Sequence, residues 1–436
     1  MKLKDKIISN NFVVGIIGLG YVGLPLALEF CKKGISVIGF DLDDYKINKI
    51  LKDKESYIKH IPTEHIKSSV DNKKLDATAD FSRLAEADVI IICVPTPLSI
   101  NREPDLSYIV DTGKMIAKYM RKDQLISLES TTYPGTTDGP LKNILDETGL
   151  EAGKDYYLCF SPEREDPNNA NYTTATIPKV LGGYTKECGE LGQLVYEKVI
   201  NKVVPVSTTR AAEATKLLEN IFRSINIALV NELKMVFDRM DIDVWEVIEA
   251  AKTKPFGYTP FYPGPGLGGH CIPIDPFYLT WKAREFEIST KFIELAGEIN
   301  SSMPYYVVDR TMHALNENKK CMNGAKILLL GASYKKDIDD LRESPSLKLI
   351  DILEKNGASV DYNDDYCGEI KETHEHHFKA KTSVPLSAEM IKGYDLVLLS
   401  TDHGYYDHKM IFDNAQILVD SRNAFKNFSG KKLYKA

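Results

Sequence analysis

The stretch VVGIIGLGYVGLPLALEFCKKG, residues 13–34, joins a continuous apolar run to a segment with helical spacing. Three glycines, Gly18, Gly20 and Gly23, connect the two with the spacing GxGxxG. In this arrangement the first glycine allows a tight turn, the second lets the backbone approach a pyrophosphate, and the third lets the helix pack closely on the strand. The free amides at the start of the helix favour an anion. The stretch therefore predicts a strand, a phosphate-binding turn and a helix.

A carboxylate follows at the distance expected of a ribose ligand. Asp41 ends the next apolar run, VIGF, 18 residues after Gly23. A carboxylate in this place accepts hydrogen bonds from the adenosine ribose and repels a 2′-phosphate, so we expect NAD rather than NADP. The alternative is a glycine-rich turn that binds no cofactor. The residues assigned to the cofactor site are Gly18, Gly20, Tyr21, Val22, Gly23, Asp41, Pro95, Thr96, Ser130 and Thr131.

Apolar runs and helical segments alternate through residues 1–205, which we assign to an N-terminal Rossmann domain. Continuous apolar runs separated by helical spacing are typical of a parallel sheet covered on both faces. The strand-like runs are VVGIIGLG, ISVIGFDLD, ADVIIICVPTP, QLISLESTT, YYLCFSPER and KVVPVS.

The pattern changes after Pro205. Residues 206–317 contain long stretches of helical spacing, which predict a central helical domain. Alternation resumes in residues 318–436 and predicts a second Rossmann-like domain, whose first loop, GASYKKD, lacks the second and third glycines. The predicted fold class is therefore α/β, with two doubly wound domains joined by helices. Long apolar helices between two such domains favour a homodimer or a higher homo-oligomer.

Composition excludes several classes of function. A net charge of −7 over 436 residues provides no basic footprint for nucleic acid. No run approaches 18 apolar residues, and the N-terminus predicts a first strand rather than a signal peptide. The seven cysteines are scattered without paired spacing, which favours a reducing compartment without disulfides or a structural zinc. We expect a cytoplasmic protein that binds neither nucleic acid nor a membrane.

The stretch GPGLGGHCIPID, residues 264–275, surrounds one thiol with glycine and proline. These residues predict a rigid, low wall that lets a ligand reach the backbone beside Cys271. His270 is a poor partner for the thiol, because adjacent residues of an extended chain point to opposite sides; it packs or touches a ligand instead. Asp275 follows four residues after the cysteine.

Lys216 and Asn220 lie at i and i+4 of the first central helix and share one face. The lysine could snorkel along the adjacent core stripe, or it could stabilise a developing oxyanion. Residues 129–135 and 161–165 are polar stretches at predicted strand ends, where an open α/β sheet binds ligands. Each of these stretches could also be a simple capping turn.

Two further polar clusters remain. Lys335, Lys336 and Arg342 suit a phosphate-bearing ligand or form a solvated basic loop. The run His374-Glu375-His376-His377 lacks HExxH spacing and has polar flanks, so we expect a solvated loop and no metal.

Seven motifs together resemble the UDP-glucose/GDP-mannose dehydrogenase family of nucleotide-sugar 6-dehydrogenases over essentially the whole chain. They are GIIGLGYVGLPLA, CVPTP, ESTTYPGTT, FSPERED, EATKLLEN, PGPGLGGHCIPIDP and SYKKDIDDLRESPS. The resemblance implies oxidation of a sugar CH₂OH to a carboxylate with two NAD⁺ and no metal. It implies that a cysteine attacks the aldehyde formed by the first hydride transfer, that the thiohemiacetal loses a second hydride, and that the thioester is hydrolysed.

The resemblance also implies roles for individual residues. Cys271 is similar to the nucleophile of the family. Lys216 is similar to the cation beside the C6 oxygen, and Asn220 to the partner of that cation. Asp275 and Glu163 resemble carboxylates that handle water and protons. Which of the two is the general base stays open. The implied catalytic residues are Cys271, Lys216, Asn220, Asp275, Glu163 and Thr131. The implied substrate-binding residues are Glu163, Arg164, Lys216, Asn220, Gly268, Lys335 and Arg342.

FSPEREDP and STTYPGTT are similar to the branch that oxidises UDP-N-acetylhexosamines for surface polysaccharides, most of all UDP-N-acetylglucosamine (UDP-GlcNAc). UDP-N-acetylmannosamine, UDP-N-acetylgalactosamine and UDP-glucose are the alternative substrates. An NAD-dependent epimerase or dehydratase would use a Tyr-x-x-x-Lys pair, a spacing found at Tyr45/Lys49 and Tyr278/Lys282. A non-catalytic NAD sensor is the remaining alternative, and it gives Cys271 and Lys216 no role.

Overall fold

The computed structural model describes all residues except 1, 59–60, 100–102, 165–171, 270 and 373–375, and it describes Cys271 without its side chain. Contacts divide the chain into two compact units. The N-terminal unit comprises Met1–Glu219 and Phe277–Ile288, and the C-terminal unit comprises Asn220–Pro276 and Ser289–Ala436.

The N-terminal unit is built on an eight-stranded sheet with the order β3-β2-β1-β4-β5-β6-β7-β8. Neighbouring strands are parallel except β6 and β7. The order reverses between β1 and β4, which opens a ligand crevice at the carboxyl ends of these strands. The strands are β1 (Val13–Ile17), β2 (Ser36–Phe40), β3 (Leu75–Thr78), β4 (Val89–Ile92), β5 (Leu125–Leu128), β6 (Tyr157–Phe160), β7 (Lys179–Gly183) and β8 (Val203–Val206).

Helices cover both faces of this sheet, as the continuous apolar strands predict. Along β4, Val89 and Ile91 belong to one buried cluster, whereas Ile90 and Ile92 belong to another. Alternate side chains of one strand therefore enter separate cores. The helices are α1 (Leu3–Ile8), which precedes the first strand, α2 (Gly23–Lys32), α3 (Asp44–Asn48), α4 (Thr63–Asp71), α5 (Ser107–Tyr119), α6 (Lys142–Asp146) and α7 (Lys186–Tyr196).

Two helices contain the boundaries between the units: α8 (Thr209–Arg239) and α10 (Cys271–Ala283). The spacing of apolar residues predicts α8. Helix α10 departs from the extended chain expected around Cys271, because the helix begins at that residue. Pro273 is compatible with this start, since amides of a first helical turn have no partner within the helix.

The C-terminal unit has a five-stranded parallel sheet with the order β10-β9-β13-β14-β15 and a separate two-stranded ribbon. This second doubly wound sheet confirms the predicted fold class. The strands are β9 (Lys326–Leu330), β10 (Ser359–Asn363), β11 (Glu369–Ile370), β12 (Lys381–Thr382), β13 (Leu396–Leu399), β14 (Leu418–Asp420) and β15 (Leu433–Lys435). Its further helices are α9 (Val244–Lys252), α11 (Lys291–Glu317), α12 (Pro345–Lys355), α13 (Ala388–Lys392) and α14 (His408–Asn414). None of the described helices is both long and apolar enough to cross a membrane.

Candidate active site

The glycine turn after β1 has the geometry of a phosphate-binding loop. Gly18 has φ +94°, and a Cβ there would lie 2.5 Å from the Cys93 carbonyl oxygen. A Cβ on Gly23 would lie 1.9 Å from the Gly18 carbonyl oxygen, so close packing of the turn and α2 requires both glycines. Around Gly20, by contrast, no atom of the described residues lies within 4 Å of the Cβ position. The turn therefore leaves room where a dinucleotide pyrophosphate would approach the backbone, and NAD fits this site.

Asp41 lies where the spacing predicts it, at the carboxyl end of β2 beside this turn. Its Oδ2 accepts hydrogen bonds from the Leu19 amide at 2.9 Å and from Lys46 Nζ at 2.9 Å. Its Oδ1 accepts from the Asp43 amide at 3.0 Å. The sequence analysis did not single out Lys46, although a cation five residues after the acid lies on the next helix, α3.

The other residues assigned to the cofactor site follow directly after the strands that border the crevice. The Ser130 hydroxyl donates to the Val94 carbonyl at 2.7 Å, which ties the end of β5 to the end of β4. Thr96 is buried, and its carbonyl accepts from the Tyr278 hydroxyl at 2.9 Å. These residues are Tyr21 and Val22 after β1, Pro95 and Thr96 after β4, and Ser130 and Thr131 after β5.

Lys216 is buried and does not snorkel along the helix surface. Its Nζ donates to the Glu163 carbonyl oxygen at 2.5 Å and lies 3.9 Å from Glu163 Oε2. Arg164, the next residue along, pairs with Glu219 of α8 at 2.6 Å and donates to the Pro178 carbonyl at 2.6 Å. The structure thus brings together the lysine and the two residues that sequence analysis assigned to substrate contacts in this unit. Glu165, the last residue of the predicted stretch, lies outside the described residues.

Asn220 and Asp275 form a buried pair in the C-terminal unit. Asn220 Nδ2 donates to Asp275 Oδ2 at 2.5 Å, and the aspartate is 1 % exposed. Asp275 lies one turn after the residue that opens α10, Cys271. His270 lies outside the described residues.

The glycines before Cys271 have a packing role that the sequence did not reveal. A Cβ on Gly268 would lie 2.5 Å from Tyr334 Cβ, and a Cβ on Gly269 would lie 2.8 Å from the ring of the same tyrosine. Gly269 also has φ +78° and donates its amide to the Arg342 carbonyl at 3.1 Å. These glycines are therefore required for close contact with the GASYKKD segment, independently of any ligand.

Three basic side chains border the carboxyl ends of the C-terminal sheet. Lys335 is half-buried, and the exposed Arg342 forms a two-pronged ion pair with Asp340, with Nη2 2.6 Å from Oδ2. The third, Arg422, was not predicted from the sequence; it follows β14 and donates Nε to the Ser400 carbonyl at 2.7 Å. Burial lowers the pKa of the Arg422 guanidinium to about 10. Arg422 could have been predicted as a strand-end residue, because the residues SRN follow an apolar run as the other polar strand-end stretches do.

The second sheet begins with a glycine turn like that of the first sheet. It differs in the contacts of the aspartate that corresponds to Asp41. Gly331 has φ +81°, and a Cβ there would lie 2.2 Å from the Thr401 carbonyl oxygen. Asp364 follows the second strand, as Asp41 does in the first sheet, but its Oδ2 accepts from the Ala332 amide and from His403 Nε2. Burial alone would raise the pKa of Asp364, but the hydrogen bond and charge of His403, with the amides of Ser333 and Cys367, outweigh burial and lower it. The Asp364 carboxylate is fully buried and bonded to a histidine, whereas Asp41 is bonded to a lysine.

Sequence models of one protein family match three consecutive segments of the chain. They describe the NAD binding domain of the UDP-glucose/GDP-mannose dehydrogenase family at residues 12–200, its central domain at 210–302 and its UDP binding domain at 328–427. The chain belongs to the UDP-glucose/GDP-mannose dehydrogenase family. It is an NAD-dependent UDP-sugar dehydrogenase, which confirms the resemblance carried by the seven motifs and the NAD cofactor expected from the glycine turn.

Relatives in this family differ in the sugar that their names specify. The chain is 34 % identical over 399 residues to a UDP-N-acetyl-D-glucosamine 6-dehydrogenase of Pseudomonas aeruginosa, covering 91 % of this chain and 92 % of that protein. It is 33 % identical to an NDP-N-acetyl-D-galactosaminuronic acid dehydrogenase of Ralstonia nicotianae, covering 80 % and 82 %. The solved structure of a UDP-D-ManNAc dehydrogenase from Pyrococcus horikoshii superimposes with a TM-score of 0.87 at 30 % identity, covering 97 % and 98 %.

The tyrosine–lysine pairs considered for an epimerase are engaged elsewhere in this dehydrogenase. Tyr278 is fully buried with its hydroxyl donating to the carbonyls of Thr96 and Pro97, and Lys282 pairs with Glu285 at 2.6 Å. In the other pair, Lys49 forms an ion pair with Glu55. Neither lysine is therefore poised beside its tyrosine as the epimerase reaction requires.

Proposed function

We propose that this dehydrogenase oxidises the C6 alcohol of UDP-GlcNAc to the carboxylate in a four-electron reaction that uses two NAD⁺. The UDP binding domain supports a UDP-linked substrate, and the relatives named above act on UDP- or NDP-linked N-acetylhexosamines. One observation carries the chemical proposal: Asp275 is buried and bonded to Asn220 one helical turn after Cys271. A buried carboxylate at that spacing is suited to direct water or a proton at a group held near the start of α10.

In the proposed reaction, the alcohol loses its proton, and the Lys216 ammonium stabilises the C6 alkoxide that forms. Loss of a first hydride from C6 converts this alkoxide into the aldehyde. Cys271 adds to the resulting aldehyde as a thiolate, which forms a C–S bond and a thiohemiacetal. Loss of hydride from that adduct gives a thioester, and water cleaves the C–S bond to release the carboxylic acid and the thiol. NAD supplies the hydride acceptor for both oxidations. The Thr131 hydroxyl is proposed to bind the water, and the Glu163 and Asp275 carboxylates are proposed to handle the water and its proton.

Proposed substrate contacts extend to the second sheet. Lys335 and Arg342 are proposed to lie near the substrate phosphates. Gly268 and Arg164 are proposed as further substrate-binding residues. Arg342 is already oriented by its two-pronged pair with Asp340. A planar guanidinium held in this way is well suited to a phosphate oxygen pair.

The dehydrogenase is further proposed to form a homodimer in the cytoplasm. Apolar side chains recur at every seventh residue of α8 and are about half exposed: Phe222 at 51 %, Leu229 at 51 % and Val236 at 45 %. Such a stripe is typical of a helix that packs against another helix. Among cysteines with a described side chain, all six are free thiols, which suits a reducing compartment.

The test compares initial rates of NADH formation with UDP-GlcNAc, UDP-N-acetylmannosamine, UDP-N-acetylgalactosamine and UDP-glucose. We expect kcat/KM to be highest for UDP-GlcNAc by about tenfold, or 1.4 kcal/mol, or more, since an enzyme discriminates between substrates by differential binding of their transition states. A higher value for another sugar would contradict the proposed substrate.

The chemistry is tested with Cys271→Ser and the control Cys321→Ser, which alters an exposed thiol of the same unit. Cys271→Ser should still bind NAD⁺ but form no thioester, so carboxylate should not accumulate. Cys321→Ser should match the wild type. Undiminished carboxylate formation by Cys271→Ser would contradict the role of the thiol.

A further inference from the structure

A buried ion pair lies between strands β5 and β7, outside the residues assigned to the reaction. Lys179 Nζ is 2.9 Å from Glu129 Oε2, and the two residues are 8 % and 2 % exposed. The Tyr196 hydroxyl donates to Glu129 Oε1 at 2.6 Å and is itself 2.8 Å from Ser127 Oγ. The lysine ammonium also lies 5.0 Å from the centroid of the Tyr196 ring. The glutamate is thus oriented by a tyrosine and neutralised by a lysine.

Lys179 reaches beyond its ion pair to the segment that carries Glu163. Its Nζ donates to the Pro162 carbonyl at 3.4 Å, and the next carbonyl along, that of Glu163, accepts from Lys216 at 2.5 Å. Two ammonium groups therefore bind two successive carbonyls. The Ser161 hydroxyl donates to the Val180 carbonyl at 2.8 Å, which fixes the other end of the same segment to β7.

One cavity of the N-terminal unit is lined by Glu129, Pro162, Glu163 and Lys179, together with Val22 of the glycine turn. Glu163 and Lys179 therefore face a common space beside the predicted cofactor site.

We propose that Lys179 is a positioning residue for the reaction, which sets the backbone of Pro162–Glu163 and thereby places both the Glu163 carboxylate and the carbonyl that binds Lys216. Glu129 and Tyr196 keep the ammonium in place for this purpose. A buried ion pair gives little net stability compared with apolar residues of similar size, so stability alone does not account for it. The proposal rests on the proposed function, since the reaction is what the segment is positioned for.

The decisive comparison separates stability from activity. Lys179→Met leaves the Glu129 carboxylate buried without its ion-pair partner, so this variant should unfold at lower urea than the wild type. The double variant Glu129→Gln/Lys179→Met removes both charges and should recover most of that stability. Neither variant holds the Pro162 carbonyl, so both should show kcat reduced by about 10²-fold, as expected for a displacement of about 1 Å, with an unchanged Kd for NAD⁺. Lys179→Arg, which keeps a cation, should restore most of kcat.

A matched control alters another lysine with a buried ion-pair partner in the same unit. Lys6 pairs with Asp88 at 2.7 Å, away from the cavity. Lys6→Met should lower stability less than Lys179→Met does, because Asp88 keeps its ion pair with Arg121 at 2.7 Å. It should leave kcat at the wild-type value. If kcat of the double variant returns together with its stability, Lys179 is only structural and the proposal is wrong.

Hydrogen exchange provides a readout that does not depend on turnover. The amides of Ser161, Glu163 and Arg164 should exchange faster in Glu129→Gln/Lys179→Met than in the wild type, while amides of β1 should not change. Unchanged exchange at the amides of these three residues would contradict the proposal. A wild type that oxidises none of the four UDP-sugars would instead contradict the proposed function, and the exchange result would still decide whether Lys179 positions the segment.

Discussion

Glu213 is a fully buried carboxyl near the start of α8. Its carboxylate accepts hydrogen bonds from the Gly135 amide at 2.6 Å, the Thr137 amide at 2.9 Å and the Thr137 hydroxyl at 2.7 Å. It therefore fixes the turn that follows Thr131. Burial raises the pKa of Glu213 from 4.5 to about 7, although the three hydrogen bonds oppose this shift.

A raised pKa makes the stability of the protein depend on pH. The folded state binds the proton more tightly than the unfolded chain, so the stabilisation is complete below pH 4.5 and is lost as pH rises to about 7. The loss should reach about 3 kcal/mol in the free energy of unfolding. We expect urea titrations at pH 5 to 8 to show this decline for the wild type, and a smaller one for Glu213→Gln, which cannot ionise. Parallel curves for the two proteins would show that Glu213 ionises normally.

Gly20 allows the cofactor site to be tested without disturbing the fold. A Cβ at this position meets no atom of the described residues within 4 Å, so Gly20→Ala should keep the wild-type melting temperature. The methyl group would occupy space needed for the pyrophosphate, so the Kd for NAD⁺ should rise at least about tenfold, or 1.4 kcal/mol.

Gly368→Ala is the control, since its Cβ position is equally open and lies in the C-terminal unit. Isothermal titration with NAD⁺ should find its affinity unchanged. Equal affinities for Gly20→Ala and the wild type would place the pyrophosphate elsewhere.

Single residues were predictable where their partners are near in sequence. Gly18 and Asp41 follow from local spacing, because turn geometry and strand length fix both. Glu213 and Lys179 were not predicted, because their partners Thr137 and Glu129 lie 76 and 50 residues away along the chain. No local pattern encodes such a contact.

Helix α8 is the element whose exposed face bears on assembly. Replacing Leu229 and Val236 together with Glu would put two charges into the proposed helix–helix contact. We expect this double variant to elute as a monomer of 49.0 kDa in size-exclusion chromatography with light scattering, where the wild type should elute as a dimer or larger.

Ile8→Glu is the matched control, because Ile8 of α1 is equally apolar and 59 % exposed but lies far from α8 in sequence. It should retain the oligomeric state of the wild type. A wild-type protein that is itself monomeric would overturn the proposed dimer.

Helical spacing predicted α8 well because its 31 residues contain many repeats of the pattern. Helix α10 was missed because CIPIDPFYLTWKA contains prolines, which usually mark irregular chain. Strand β7, KVLGG, was missed for a related reason, since two of its five residues are glycine and pack against backbone instead of presenting side chains.

The whole chain combines two doubly wound sheets that begin in the same way. In each, an aspartate after the second strand accepts an amide of the first glycine turn, Asp41 from Leu19 and Asp364 from Ala332. Only the first sheet carries the complete glycine fingerprint, and in the second sheet His403 bonds the aspartate. The missing glycines predicted that the loop of the second sheet differs from that of the first. The contact between His403 and Asp364 could not be predicted, because the two residues are 39 positions apart.

Sequence analysis divides the chain into three parts, and the three matching family models fall in the same order. Contacts divide it into two units, because α8 and α10 each supply residues to both. The three-part division with boundaries at residues 205 and 317 stays a prediction. The spacing of apolar residues shows where the type of secondary structure changes along the chain, but it does not show where few contacts join two domains.

A four-electron oxidation of UDP-GlcNAc determines the total yield of NADH when this sugar is limiting and NAD⁺ is in excess. We expect two NADH for each UDP-GlcNAc consumed, together with one UDP-linked uronic acid identified by mass spectrometry. A yield of one NADH with release of the aldehyde, or no NADH at all, would contradict it.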